Sequence, residues 1–298
     1  MGQQIQLRSL IKELFSNDLL LELEMLTERH DINNNDKSKE ILRLIRESGI
    51  EVESLGSGTN RYGVKIKGYA FKIALDRLGK IDNRREFKYS KKLYPDVIAV
   101  YEALPDGLIA VTEYITPFTE RSEYLSYQDE MREILARICD KYLIGDIGVT
   151  DKNFMNWGYR YTDNGLQICC LDFAYIYSTS YNTFKCRCPD SSILVYDDDY
   201  NNLICPTCHR KYKFSEIRKR ISKEDEEKEI GDIGELGYKL HSPIEMQERD
   251  YTKSPMKENH KKKKSVEVEE SIPDGYIDID DFDRLTLEEQ MKLLNGGK

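Results

Sequence analysis

The chain of 298 residues has 39% hydrophobic and 10% aromatic side chains, enough to bury a real core without committing it to one domain. A formal charge of −9 and a pI near 5.2 argue against nucleic acid or an anionic membrane as the partner of the surface as a whole. No apolar run approaches the ~18 residues of a membrane span, and no basic-then-apolar leader opens the chain, so the expected compartment is cytoplasmic. Gln6 stands where a myristoylation signal beginning at Gly2 needs Ser or Thr, which discounts lipidation.

Residues 5–30 carry apolar positions at helical spacing, Leu7, Leu10, Ile11 and Leu14, then Leu19, Leu20, Leu23 and Leu26, with Ser16 and Asn17 placed to break and recap the helix. The run "DINNND" predicts a turn, and 37–48 a second helical stretch through Ile41, Leu44 and Ile45, stopped by Gly49. This helical extension, 1–48, is expected to pack on the domain after it.

From Ile50 the period changes to alternation. Five segments, "IEVESLGSG", "YGVKIKGY", "YAFKIALD", "DVIAVYEAL" and "LIAVTEYI", predict an antiparallel sheet, with a helix, "NRREFKYSKKLY", between the third and fourth. In the turn of "LGSGTNRYGV", Gly56 and Gly58 would let backbone amides approach phosphate oxygens. Lys72 sits on the inward side of the third strand, and Glu86, 14 residues on, is placed to pair with it and aim its ammonium at a phosphate.

A longer helix is expected from about Tyr127 to Tyr142, with Met131, Ile134, Leu135 and Ile138 on one face. Short strands come next in "IGDIGV", "FMNWGYR" and "LQICCLDF", the last two joined through Asn164-Gly165. Asp151, Asn156 five residues later and Asp172 at a strand end form an order that sets one carboxylate beside an incoming hydroxyl and two oxygen ligands on magnesium.

Of seven cysteines, four cluster as "CRC" and "CPTC". Cys186, Cys188, Cys205 and Cys208 at the ends of a hairpin make a four-thiolate zinc site, with His209 as a substitute donor. Cys139, Cys169 and Cys170 read as buried thiols. The neighbouring "YDDDY" would repel phosphate, so the ribbon is expected to contact protein or position a substrate, and nucleic acid is an unlikely partner. After Tyr212 the pattern is helical and charged. From about Glu245 it is a charged linker ending in an acidic docking tail, whose short helix opens at Thr286 and Glu289 and whose aspartates lack calcium-loop spacing.

Taken in order, these motifs resemble the protein-kinase-like family over roughly residues 50–178. "LGSG" (Gly56, Ser57 and Gly58) resembles the phosphate-covering loop, and "AFKIA" the lysine strand. "VTEYI" resembles the hinge, with Thr112 as gatekeeper and Glu113 and Ile115 beside adenine. "DKNFMN" is similar to the catalytic loop and "DFA" to the metal-binding triplet. The resemblance implies ATP between two lobes, Lys72 on the α and β phosphates held by Glu86, Mg2+ on Asp172 and Asn156, and Asp151 at the acceptor hydroxyl.

The pattern also departs from the family. Arg61 falls near the third glycine's place, Val149-Thr150 replaces His-Arg, Asn153 replaces the catalytic-loop lysine with Lys152 one position early, and Ala174 replaces glycine. No "APE" comes after it, and the ribbon begins where an activation segment would end.

The expected fold is therefore α+β and bilobal. An antiparallel five-stranded N-lobe with its hinge (49–115) precedes an abbreviated helical C-lobe (116–182), a four-cysteine zinc ribbon (183–213), a helical segment (214–244) and a linker and flexible acidic tail (245–298). The expected activity is ATP- and Mg2+-dependent transfer to Ser or Thr hydroxyls of a protein, in the manner of the kinase-like proteins of bacterial viruses, acting then in the host cytoplasm. Three alternatives stay open: a small-molecule kinase of aminoglycoside type, a pseudokinase scaffold, and a ribbon-based regulator of nucleic acid. The oligomeric state is not legible.

Overall fold

A computed structural model describes residues 9–145, 154–163, 165–178, 184–197, 200, 202–221, 226 and 230–231, all within one unit, Met1–Ile244. Asp151, Val149-Thr150, Lys152, Asn153, Asn164 and the segment 232–298 with its linker and tail lie outside the described residues.

Three helices open the chain: α1 (Leu10–Leu14), α2 (Asn17–Thr27) and α3 (Asn34–Glu47). Ser16 caps α2 by accepting from the N–H of Leu19, so the expected break falls at Ser16, with Asn17 already helical. Helix α3 starts three residues before the expected Lys37, because Asn33 accepts from the N–H of Asp36 and converts half of the supposed turn into a first helical turn. The N-terminus of α1 is held from a distance: the Glu102 carboxylate accepts the N–H of Leu10 at 2.8 Å and of Ile11 at 3.3 Å, and the Ser9 hydroxyl.

The helices cover one face of the expected five-stranded antiparallel sheet, whose strands are β1 (Glu53–Ser57), β2 (Arg61–Ile66), β3 (Tyr69–Ala74), β4 (Val100–Ala103) and β5 (Ile109–Glu113), in the spatial order β1-β2-β3-β5-β4. Alternation decides which residues face the helices: Tyr62, Val64 and Ile66 of β2, with Phe71 and Ile73 of β3, join Ile11, Phe15, Leu23, Ile41 and Ile45 in one buried core. The rings of Phe15 and Phe71 lie 5.6 Å apart. Buried Lys37 ends the layer by donating to the carbonyls of Thr27 at 2.9 Å and Leu75 at 2.8 Å.

The opposite face of β2 and β3 carries Arg61, Gly63 and Lys72, with Gly63 directly across from Lys72. Against it lies α4 (Arg77–Leu93), six residues longer at its start than the expected 83–94, because Asp76 caps it by accepting from the N–H of Gly79 at 2.9 Å. A side chain at Gly79 would put Cβ 2.1 Å from the carbonyl oxygen of Asn60, so only glycine lets α4 touch the β1–β2 turn this closely.

The second half is richer in strand than expected. Helices α5 (Arg121–Leu125) and α6 (Gln128–Cys139, shorter than the expected 127–142) accompany β6 (Thr116–Pro117), β7 (Tyr142–Ile144), β8 (Trp157–Thr162), β9 (Gly165–Cys170) and β10 (Ile176–Ser178). Strands β6-β8-β9 form one antiparallel sheet and β7-β10 a pair. Phe154–Asn156, expected to begin a strand, is a 3-10 turn leading into β8.

The cysteine segment holds three strands rather than a simple hairpin, β11 (Val195–Tyr196), β12 (Leu203–Ile204) and β13 (Lys211–Tyr212), succeeded by α7 (Phe214–Arg218). It does not stand apart. Phe184, Leu194, Leu203, Tyr212 and Phe214 share a buried core with Leu143 of β7 and Tyr177 of β10. No helix among the described residues is long and apolar enough to cross a membrane.

Candidate functional site

A cleft of about 350 Å3 opens beside the β1–β2 turn, lined by Gly56, Gly58, Gly63, Lys72, Asn156 and Asp172 together with Asn60, Arg61, Asp82 and Tyr175. Gly56, at φ +117°, has a backbone that L side chains rarely adopt, and a bulge between Ser54 and Gly56 offsets β1 from β2 there. The turn is closed by the N–H of Gly58 donating to the carbonyl of Arg61 at 2.8 Å. The carbonyl of Asn60 accepts the N–H of Leu75 at 2.8 Å, and its amide donates to Asp82 Oδ2 at 3.0 Å, so the turn is tied both to the sheet and to α4.

Lys72 and Glu86 meet as the spacing suggests: Nζ lies 2.7 Å from Oε2 and 2.9 Å from Oε1, and donates also to the carbonyl of Leu171 at 2.8 Å. Glu86 is fully buried. It accepts the N–H of Phe173 at 3.2 Å, which fastens α4 to the segment carrying Asp172. The N–H of Leu171 in turn donates to the carbonyl of Asn156 at 2.7 Å, fixing the 3-10 turn against the same segment. Three stretches far apart in sequence thus converge on Lys72, which links β3, α4 and the end of β9.

A residue that the sequence offered only as a departure proves central. Arg61 is buried, its side chain 9% exposed, with Nη1 2.8 Å from Glu86 Oε2 and Nη2 3.1 Å from Glu86 Oε1 and 2.7 Å from Asp172 Oδ1. The signal for it was the alternation of Tyr62, Val64 and Ile66: with those inward to the helices, Arg61 and Gly63 fall on the face of Lys72. Its place in the cleft, partly withdrawn from water, would raise the Asp172 carboxyl; the charges of Arg61 and Lys72 overcome that and hold it at about 2. At Asp82 burial wins over Arg61 and Asn60 and lifts the pKa to about 6.

Arg85, next to Glu86 and fully buried, was also missed. It donates to the carbonyl of Ala174 at 3.0 Å, lies 3.4 Å from Glu226 and stacks over the ring of Tyr177 at 4.5 Å. Tyr177 donates to Glu226 at 2.8 Å, and Arg218 of α7 packs on Tyr175 at 3.7 Å. The segment after Asp172 is therefore clamped between α4 on one side and the cysteine core on the other.

The remaining expected residues sit elsewhere. Ser57 is exposed and its hydroxyl bonds that of Ser38 at 2.8 Å. Thr112 is buried, donating to the carbonyls of Ala70 at 3.4 Å and Glu113 at 3.2 Å. The Glu113 N–H goes to Ala99 at 2.9 Å and its carboxylate to Arg160 at 3.1 Å. Thr112, Glu113 and Ile115 do not line this cleft. Asp151 lies outside the described residues.

The donors suit the groups expected of them. Asp172 Oδ1 is taken by Arg61 and by the N–H of Ala174 at 3.3 Å, while Oδ2 accepts no hydrogen bond from a described residue and the side chain is 48% exposed. A carboxylate oxygen and the Asn156 amide oxygen in one cleft are hard donors fit for Mg2+, and two cations beside them, buried Arg61 and half-buried Lys72, fit a polyphosphate. The thiols of Cys186, Cys188, Cys205 and Cys208 lie within 4.8 Å of one another, with Cys186 to Cys208 at 3.5 Å and Cys188 to Cys205 at 3.8 Å. Tetrahedral zinc with Zn–S near 2.3 Å sets sulfurs about 3.8 Å apart, so the cluster fits that ion. The Tyr212 hydroxyl, 3.2 Å from Cys186, favours its thiolate.

No protein-family model and no curated protein matches the chain. Among solved structures, the chain is similar to the Rio2 kinase of Chaetomium thermophilum in its ADP/Mg2+-phosphoaspartate complex, at 14% identity and a TM-score of 0.34, covering 57% of this chain and 76% of that one. Overlap of that extent leaves the assignment to the cleft's own geometry.

Proposed function

We propose that this protein is an ATP- and Mg2+-dependent phosphotransferase of kinase-like architecture that passes the γ-phosphate to a Ser or Thr hydroxyl of a protein. One observation carries it: Lys72 is gripped by buried Glu86 and by the carbonyl of Leu171, at the floor of a glycine-lined cleft that also holds Asn156 and Asp172. A half-buried lysine fixed by a buried carboxylate beside hard oxygen donors is built to hold a metal-chelated polyphosphate rather than an apolar ligand.

In this reading Lys72 binds and orients the α and β phosphates, Glu86 keeps its ammonium in place, and Asn156 and Asp172 hold Mg2+, which when bound neutralises charge on the transferring group. Asp151 takes the acceptor's proton, and the backbone of the Gly56–Gly58 turn covers the phosphates. The clamp of Arg85 on Ala174 supports activity without a phosphorylated activation segment, since α4 and the Asp172 segment are already locked together.

One observation favours a second reading, a scaffold that binds nucleotide without turnover: Arg61 already engages one oxygen of Asp172. Incubation of the full chain with γ-labelled ATP, Mg2+ and a cell lysate separates the readings. Label on protein supports the proposal, label on small molecules points to a metabolite kinase, and nucleotide-dependent thermal stabilisation without any transfer points to the scaffold.

A further inference from the structure

We propose that the guanidinium of Arg61 is a resident cation of this cleft, and that the cleft therefore takes one divalent cation with its nucleotide instead of two. The inference rests on the phosphotransferase reading and adds to it the number of metals and the residue that sets that number.

A carboxylate that bridges two divalent cations does so most readily with one oxygen on each. Here Oδ1 of Asp172 receives Arg61 at 2.7 Å and the N–H of Ala174 at 3.3 Å, and Oδ2 accepts no hydrogen bond from a described residue. Arg61 is not placed to swing away. Its two terminal nitrogens form a fork on Glu86, at 2.8 and 3.1 Å, and its side chain is 9% exposed. Its backbone is fixed by the turn bond from Gly58, and Asn60 before it is held by Leu75 and Asp82. Withdrawing it would strip a buried carboxylate of one of its two cations, an unfavourable change.

Charge balance points the same way. Lys72 and Arg61 carry two positive charges against the two negative charges of Glu86 and Asp172. In the adjoining layer Arg85 and Arg218 face Asp82 and Glu226. Among the described residues these side-chain charges balance, and an ion on Oδ1 would sit against a guanidinium that stays protonated at any physiological pH. The guanidinium also supplies part of what such an ion would, a positive charge fixed beside the place of the phosphates, while its terminal N–H groups stay on Glu86, Asp172 and Asn83.

The test counts metal directly. Full-length, zinc-loaded protein is saturated with the β,γ-imido analogue of ATP and titrated with Mn2+, bound ion being read by electron paramagnetic resonance. The expected result is one Mn2+ per wild-type protein, one for Arg61→Lys, and a second, weaker one for Arg61→Gln. Two Mn2+ bound to the wild type overturn the inference while leaving the phosphotransferase reading standing. A single Mn2+ in folded Arg61→Gln overturns it as well, since the guanidinium would not be what excludes the second. No nucleotide-dependent Mn2+ at all removes both. Should Arg61→Gln fail to fold, Arg61→Met, which also removes the charge, takes its place with the same expected and overturning counts.

Discussion

Glu86→Gln keeps the side-chain volume and removes one charge from a fully buried position where Lys72 approaches to 2.7 Å, Arg61 to 2.8 Å and the N–H of Phe173 to 3.2 Å. Taking away one partner of a buried ion pair costs about 3–5 kcal/mol. Arg61 keeps Asp172 at 2.7 Å, which sets the expected loss at the lower end, about 3 kcal/mol. At roughly 2–4 °C per kcal/mol for a unit of this size, Tm should fall by about 6–12 °C. Circular dichroism melts without nucleotide measure this. Affinity for the imido analogue of ATP should drop in parallel, because the Lys72 ammonium is no longer aimed. A variant melting within about 2 °C of the wild type would show that Glu86 is not the hub of the cleft.

Three further outcomes rest on other contacts. Removing zinc with a strong chelator, or replacing Cys205 with Ser, should lower Tm and weaken nucleotide binding together, because the cysteine core includes Leu143 and Tyr177 and backs the segment after Asp172; melting with and without chelator, paired with analogue titration, checks it. Glu102→Ala leaves the N–H groups of Leu10 and Ile11 without their charged acceptor and should cost about 1.5–3 kcal/mol, read from urea midpoints, with hydrogen exchange quickening first in α1. Asp82 has its folded pKa raised from 3.8 to about 6, so the native state binds its proton more tightly and this group's contribution to stability falls as pH rises from about 4 to about 6. Asp82→Asn should remove that part of the pH profile, seen by comparing urea midpoints of the two proteins at the ends of the window.

What the sequence disclosed and what it hid divide along physical lines. The five strands were legible because Val64, Ile66, Phe71 and Ile73 alternate against a single covering layer, and Lys72 and Glu86 because one strand and one helix suffice to bring them together. Helix starts were misplaced where a cap lay upstream of the apolar pattern, at Asn33 and Asp76. Arg61 was counted as a lost glycine, although the alternation of its own strand turned it toward Lys72. Arg85 could not be found at all: its partners Ala174 and Glu226 lie far along the chain, and nothing local marks an arginine beside a glutamate on a helix as buried. Likewise the clustering of the four thiols was legible, while the union of their core with β7 and β10 depends on Phe184, Leu203 and Phe214, which look like ordinary strand and helix residues.

The central claim is that the cleft around Lys72 and Asp172 moves a phosphoryl group. Its most direct measurement is γ-phosphate transfer from ATP by the zinc-loaded full chain in Mg2+, monitored in parallel for wild type and Asp172→Ala, with binding of the nucleotide measured for both. The predicted result is a labelled hydroxyl amino acid on acceptor protein with the wild type and a loss of at least about 100-fold with Asp172→Ala, its folding checked by circular dichroism. Equal transfer by the two proteins, or nucleotide binding by the wild type with no transfer to any acceptor, would contradict it.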